Sequence, residues 1–296
     1  MDNLISLDDL KNFYLVADLG NLTEVVRATR ISQQTLTRSI QRLEATFGCT
    51  LYTRGRSGII LTPGGVKLYQ ILREKLAPLH RIKEIFLENH ATLSGNLKIA
   101  TTSTFGSLWL TRRLNKFYSQ YPNISLDVYA TDEKVDIYSK ADASVSFQPY
   151  GDKDVIDCKI LSYQLKIYAS EKYLKTYGAP KTLDELKNHK VIVYGDNTKA
   201  PTPQVNWIAK NKHGQYMFNP ILKLNSAQGI IEAVKNDVGI ATLASYIAKD
   251  DPELIEIKIP TTFPPVEIYF SYHKSFSGSA RVNIFKEFIT QELNAS

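Results

Sequence analysis

Along residues 33–47, the polar side chains Gln33, Gln34, Thr35, Thr37, Arg38, Gln41 and Arg42 face away from a stripe of Leu36, Ile40, Leu43 and Phe47 at helical spacing. Amides and guanidinium groups present paired donors and acceptors, and threonine hydroxyls add shorter ones. With Ser32 at the start, this set has the reach to touch base edges and phosphates from a helix lying in the major groove of DNA. A second basic group follows in Thr53-Arg54-Gly55-Arg56-Ser57-Gly58, between the apolar pieces Leu51-Tyr52 and Ile59-Ile60-Leu61. It reads as two short strands around a tip from which Arg54 and Arg56 would meet the phosphate backbone.

Local charge supports that chemistry. Residues 1–26 set Lys11 against Asp2, Asp8, Asp9, Asp18 and Glu24, a net of −4. Residues 27–62 set Arg27, Arg30, Arg38, Arg42, Arg54 and Arg56 against Glu44, a net of +5. Every basic residue of that block is arginine, which forks onto phosphate and can read guanine.

A second cluster lies far downstream. Thr101-Thr102-Ser103-Thr104 ends a strand and precedes a helix expected from Phe105 to Tyr118. In open α/β sheets ligands bind beyond the carboxyl ends of strands, near helix N-termini. Thr102, Ser103 and Thr104 are therefore expected to contact a small effector, with Gln148, Tyr194, Thr202 and Ser226 as rim partners. A small organic anion is mildly preferred over a neutral effector, and plain helix capping is the competing reading of the same hydroxyls.

Catalytic constellations are missing. The chain contains no G-x-S-x-G, H-E-x-x-H or G-x-x-x-x-G-K run, so no enzyme activity and no cofactor are expected. The histidines form no i, i+4 pair, and Cys49 and Cys158 stand far apart, so neither a metal site nor a disulfide is expected. The cysteines are read as packing residues.

The elements that would position the first cluster are short helices. Ser6 can cap a helix whose Asp9 reaches back, with Leu7, Leu10, Phe13, Tyr14 and Ala17 on one stripe before Gly20. Asn21 with Glu24 opens a second helix to about Thr29, Arg30-Ile31 turn the chain, Ser32 caps the third helix and Gly48 stops it. Two short helices joined by a tight turn, the second polar and basic outward, form the recognition geometry of a winged helix-turn-helix.

This segment resembles the DNA-binding domain of LysR-type transcriptional regulators. The match rests on Leu10, Phe13, Gly20-Asn21-Leu22-Thr23, Ser32-Gln33, Leu36, Arg38, Ile40, Leu43-Glu44, Phe47-Gly48, Leu51-Tyr52, Arg54 and Leu61-Thr62-Pro63 with Gly65. Val25 and Val26 stand where the family usually has alanines, Thr29 replaces a leucine, Gln34 a proline and Thr37 a serine. Either a displaced recognition helix or compensation at Thr29 is expected. The second wing arginine, Arg56, comes one place early.

After Thr62-Pro63, a cap followed by proline at the first helical position, apolar residues recur at Leu68, Leu72, Leu76, Leu79, Ile82 and Phe86. A wet stripe of that length calls for a second copy, so self-association as a dimer or tetramer is expected, with packing on the chain's own effector domain as the alternative. Pro78 should kink or split this helix near Ala77.

From Gly95 onward strand and helix signals alternate, as in an α/β domain. The family resemblance implies a two-lobed, periplasmic-binding-protein-like effector domain, carried by Ser94-Gly95-Asn96-Leu97-Lys98-Ile99 and Gly239-Ile240-Ala241. The expected organisation is α+β overall: a DNA-binding domain at 1–62, a linker helix at 63–93 and an effector domain at 94–296. Its first lobe spans about 94–163 and 267–296, its second about 164–266.

The 296 residues, 43 % hydrophobic and 22 % charged, suffice for two or three domains. No segment reads as membrane-spanning, and MDNLISLDDL lacks the basic-then-apolar order of a secretory signal, so a cytoplasmic address is expected. The expected function is sequence-specific transcription regulation through double-stranded DNA, under small-molecule control, with RNA polymerase as a further partner. A ligand-independent regulator with a degenerate cleft is the alternative, motivated by a shortened segment between Tyr129 and Ala143 and by Asp237-Val238 and Ala244 in place of a commoner glycine and proline.

Overall fold

Each of the first three helices starts at a polar cap and ends on a left-handed residue, as the local signals dictate. In the computed structural model these are α1 (Leu7–Leu19), α2 (Leu22–Thr29) and α3 (Gln33–Phe47), capped by Ser6, Asn21 and Ser32 and closed by Gly20, Arg30 and Gly48. The structure describes residues 5–55, 58–86, 93–132, 135–137, 140–195, 202, 204–211, 213–249, 251–261 and 265–295, with the side chains of 74 and 76–86 outside that set. Contacts divide the chain into two compact units, 1–87 and 88–296.

In the first unit, Phe13, Val16, Val25, Leu36, Ile40, Leu43 and Leu51 form the core. Burying such side chains contributes about 1.5–3 kcal/mol each. Two residues expected on the buried stripes differ: Leu7, the first residue of α1, is 61 % exposed and Phe47, the last of α3, 41 %. Cys49 is exposed, not packed. The hairpin β1 (Tyr52–Gly55) and β2 (Gly58–Leu61) pairs Tyr52 with Leu61 and Arg54 with Ile59. The Ile59 amide donates to the Gly20 carbonyl at 2.9 Å, fixing the wing to the turn between α1 and α2.

Helix α4 (Pro63–Phe86) begins at Thr62, whose Oγ1 accepts from the Gly65 amide at 3.1 Å. The expected split near Ala77 does not occur, since one helix runs through Pro78 to Phe86. Leu68 and Leu72 pack on the first unit's own core, and Tyr69 hydrogen-bonds Asp18 at 2.7 Å. The start of the stripe is thus used within this unit, while the side chains of Leu76, Leu79, Ile82 and Phe86 lie outside the described residues.

The second unit opens with β3 (Gly95–Thr101). The regular helix expected from Phe105 is instead a π-helical segment, Phe105–Leu110, and a tight turn, Thr111–Arg113, before α5 (Leu114–Gln120). Next come β4 (Ile124–Ala130), β5 (Ala143–Ser146) and β6 (Val155–Tyr163). One residue, Gln164, separates β6 from β7 (Leu165–Ala169), where the chain passes between lobes.

The second lobe continues with α6 (Glu171–Tyr177), β8 (Ile192–Tyr194), β9 (Leu222–Leu224), α7 (Ala227–Lys235), β10 (Ala241–Ala244), α8 (Ser245–Ala248) and β11 (Ile255–Ile257). The chain returns through β12 (Val266–His273) and closes with α9 (Ala280–Ala295). The larger sheet has the order β4-β3-β5-β12-β6, parallel at β4/β3/β5 and antiparallel at β12. The second lobe holds antiparallel β10-β7-β11 and parallel β8-β9. Gly239 has no room for a side chain: a Cβ there would lie 2.2 Å from the Lys190 carbonyl oxygen.

Candidate DNA-recognition surface and effector cleft

Helix α3 presents the first site. The Ser32 Oγ accepts from the Thr35 amide at 3.1 Å and shares a hydrogen bond with the Thr35 hydroxyl. Thr37 is half-buried and its hydroxyl donates back to the Gln33 carbonyl at 2.9 Å. Gln33, Gln34, Arg38 and Gln41 are exposed, and among the described residues their side chains have no partner. Four long polar groups therefore project from a rigid, capped helix.

Arg42 is exposed as expected but has a partner within the unit. Its Nε donates to Oδ2 of Asp9 at 2.8 Å and its Nη2 to Oδ1 of the same carboxylate, so its fork is used inside the unit. Asp9 is 4 % exposed and does not reach back to its own helix cap. The Arg42 hydrogen bond holds the Asp9 carboxyl below its ordinary range, burial opposes this, and the Ser39 hydroxyl assists. Ser39 also accepts from Asn12 Nδ2 at 2.9 Å. Asp9, Asn12, Ser39 and Arg42 thus pin α3 to α1 through a satisfied polar network.

At the turn, Val25 is fully buried and Val26 half-buried in the space the family usually gives to alanines. At the end of the same helix the Thr29 hydroxyl donates to the Val25 carbonyl at 2.7 Å and accepts from the Ile31 amide at 3.3 Å. Arg30 takes a left-handed conformation, φ 62°, where the other two helix ends use glycine. In the wing, Arg54 is exposed on β1, while Arg56 lies outside the described residues. Glu44, which the resemblance flags without a role, accepts from the Leu51 amide at 2.8 Å and joins α3 to the wing.

The second site is a cavity of ≈ 60 Å³ lined by both lobes of the second unit. Thr104, Tyr194 and Thr202 line it, together with Asp132, Phe147, Tyr163 and Tyr246. Thr102, Ser103, Gln148 and Ser226 are not brought to it. The Thr102 hydroxyl caps the Phe105 amide at 3.3 Å, and Ser226 caps α7 through the Gly229 amide at 3.1 Å. Gln148 is exposed and meets Ser146 through its backbone carbonyl. The Ser103 amide, the intended anion donor, is already given to Asp132 Oδ1 at 3.0 Å.

The remaining lining is apolar, including Leu165, Ile230, Ile231, Leu243 and Ile247. Burial pushes the Tyr163 and Tyr246 phenols up, so both remain neutral hydrogen-bonding groups at physiological pH. Tyr194 is held by Asn206, which accepts from its amide and donates to its carbonyl, both at 2.8 Å. Sequence reasoning missed Asp132, Tyr163, Tyr246 and Asn206. Aromatic residues at the interlobe crossing were a usable signal for Tyr163 alone.

Comparison with known proteins agrees in both units. Residues 7–66 match the family model described as bacterial regulatory helix-turn-helix protein, lysR family, and residues 90–294 match LysR substrate binding domain. An uncharacterized HTH-type transcriptional regulator of Haemophilus influenzae is 26 % identical over 272 residues, covering 90 % of this chain and 93 % of the relative. Among solved structures, CrgA, a LysR-type transcriptional regulator from Neisseria meningitidis, superposes with TM-score 0.60 at 19 % identity, covering 97 % of this chain and 99 % of that one. A full-length OxyR variant from Pseudomonas aeruginosa gives TM-score 0.71 at 17 % identity, with 98 % of each chain covered.

Proposed function

The chain belongs to the LysR family of transcriptional regulators, with a DNA-binding helix-turn-helix and an effector-binding domain, and on that basis we propose how its own residues divide the work. Gln33, Gln34, Arg38 and Gln41 read base edges in the major groove. Ser32, Thr35 and Thr37 contribute at the helix start, and Arg54 with Arg56 holds phosphates. Arg42 is a positioning residue, not a DNA contact. The observation that carries this reading is the set of exposed, unpartnered side chains on a helix fixed by the Asp9–Arg42 network.

The domain limits proposed are 1–62, 63–93 and 94–296, with a small effector held between the two lobes by Thr104, Tyr194 and Thr202. The chain acts by binding and without catalysis, as a self-associated dimer or tetramer that meets RNA polymerase at its promoters. Effector and DNA are coupled reciprocally, so a ligand that changes operator affinity has its own affinity changed by the same factor. Footprinting on the intergenic region upstream of the gene, with and without a metabolite panel, tests this reading. A protected site whose affinity shifts with a metabolite supports it, and no protected site overturns it.

A further inference from the structure

The interlobe cavity carries chemistry opposite to the anion preference of the strand-end loop. Its aromatic rings touch in series: Phe147 lies 6.1 Å from Tyr163 and Tyr163 meets Tyr246 edge-on at 4.8 Å between centroids. Phe105, stacked on Trp109 at 4.6 Å, backs Tyr246 at 6.2 Å. Among the described lining residues the charged one is Asp132, and no lysine or arginine accompanies it. Asp132 sits on the Ser103 amide, where a ligand carboxylate would have gone, and so acts as the chain's own anion in that loop.

Two further groups point to a ligand. Thr202, 4 % exposed, and Tyr246, 5 % exposed, both line the cavity, and the hydroxyl of each is buried with no partner among the described residues. An orphaned buried hydroxyl is costly, and a polar ligand atom would satisfy it. Ring faces are electronegative and attract cations, whereas a carboxylate in the cavity would share its lining with the exposed carboxylate of Asp132. The cavity, ≈ 60 Å³, has room for a small guest.

We infer that the cleft takes a small organic cation, a protonated or quaternary amine, paired with Asp132 and seated against Phe147, Tyr163 and Tyr246. This rests on the effector-controlled reading above and sharpens it to a ligand class. The test is calorimetry and operator gel shift on the full chain with four probes of similar size: isobutylammonium, tetramethylammonium, isobutanol and isobutyrate, at constant ionic strength. Both cations bind about tenfold or more tightly than isobutanol, isobutyrate does not bind, and Asp132→Asn removes the advantage of isobutylammonium. Asparagine keeps an acceptor for the Ser103 amide, so the loop is preserved.

Isobutyrate or isobutanol binding best, with a change in operator affinity, overturns the cation assignment and leaves effector control standing. An unchanged cation-to-alcohol ratio in Asp132→Asn also overturns it. If no probe binds and operator affinity responds to no metabolite, both readings fall.

Discussion

Arg42 Nε lies 2.8 Å from Asp9 Oδ2, a fork-to-carboxylate contact between the first helix and the recognition helix across 33 residues of sequence. It makes an arginine on the exposed face of α3 a clamp onto α1. The orientation of α3 relative to α1 then depends on a polar network as well as on Phe13, Leu36 and Ile40. Removing the clamp should change how well the helix is presented without removing a contact to DNA.

Arg42→Met is therefore expected to weaken operator binding with an unchanged salt slope, whereas Arg38→Met should change the preferred sequence. Asn12→Ala removes the donor that Ser39 accepts and should cost about 1 kcal/mol in the first unit. Salt titrations of gel shifts and urea melts followed by hydrogen exchange of residues 7–47 check both. Equal slope changes in the two arginine variants would assign Arg42 to a phosphate.

Acid should loosen this unit. The folded Asp9 carboxyl titrates below its unfolded value near 3.9, so its stabilising contribution is complete above about pH 5 and is lost as pH falls through the folded value. Asp9→Asn should flatten that part of the stability profile while wild type declines. Parallel profiles from pH 3 to 6 would show that the pair contributes nothing.

Arg30 occupies a left-handed position at φ 62°, which costs a side-chain-bearing residue roughly 1 kcal/mol. Arg30→Gly should raise the stability of the first unit by up to about 1 kcal/mol. Gly65→Ala should do the reverse, by about 1–3 kcal/mol or more, since its Cβ would meet the Leu51 carbonyl oxygen. Thermal melts of both variants give the signs directly.

In the cleft, stability and response should move in opposite directions. Tyr246→Phe and Thr202→Val each delete a buried hydroxyl that has no partner among the described residues and should gain about 1 kcal/mol while losing response to the effector. A variant that loses stability would mean that its hydroxyl is satisfied in solution.

What could be read from sequence was local. Ser6, Asn21 and Ser32 act as caps, and Gly20 and Gly48 as stops. Each depends on neighbours within a turn or two. Helix α6 was missed although Ser170 and Gly178 bracket it as a cap and a stop. The pairings of Asp9 with Arg42 and of Asp132 with Ser103 join residues 33 and 29 positions apart, which no periodicity encodes. The π-helical segment Phe105–Leu110, within which Phe105 stacks on Trp109, likewise has no signature in the apolar spacing of the sequence.

Selection of bound sequences from a randomised DNA pool, combined with salt titration, tests the central claim most directly in wild type, Gln34→Ala and Arg54→Ala. Gln34→Ala should select a different base at one position in each half-site. Arg54→Ala should keep the wild-type sequence and lower the salt slope by about 0.9. Wild-type sequence preference and slope in both variants would contradict the assignment of α3 and the wing as the DNA-reading surface.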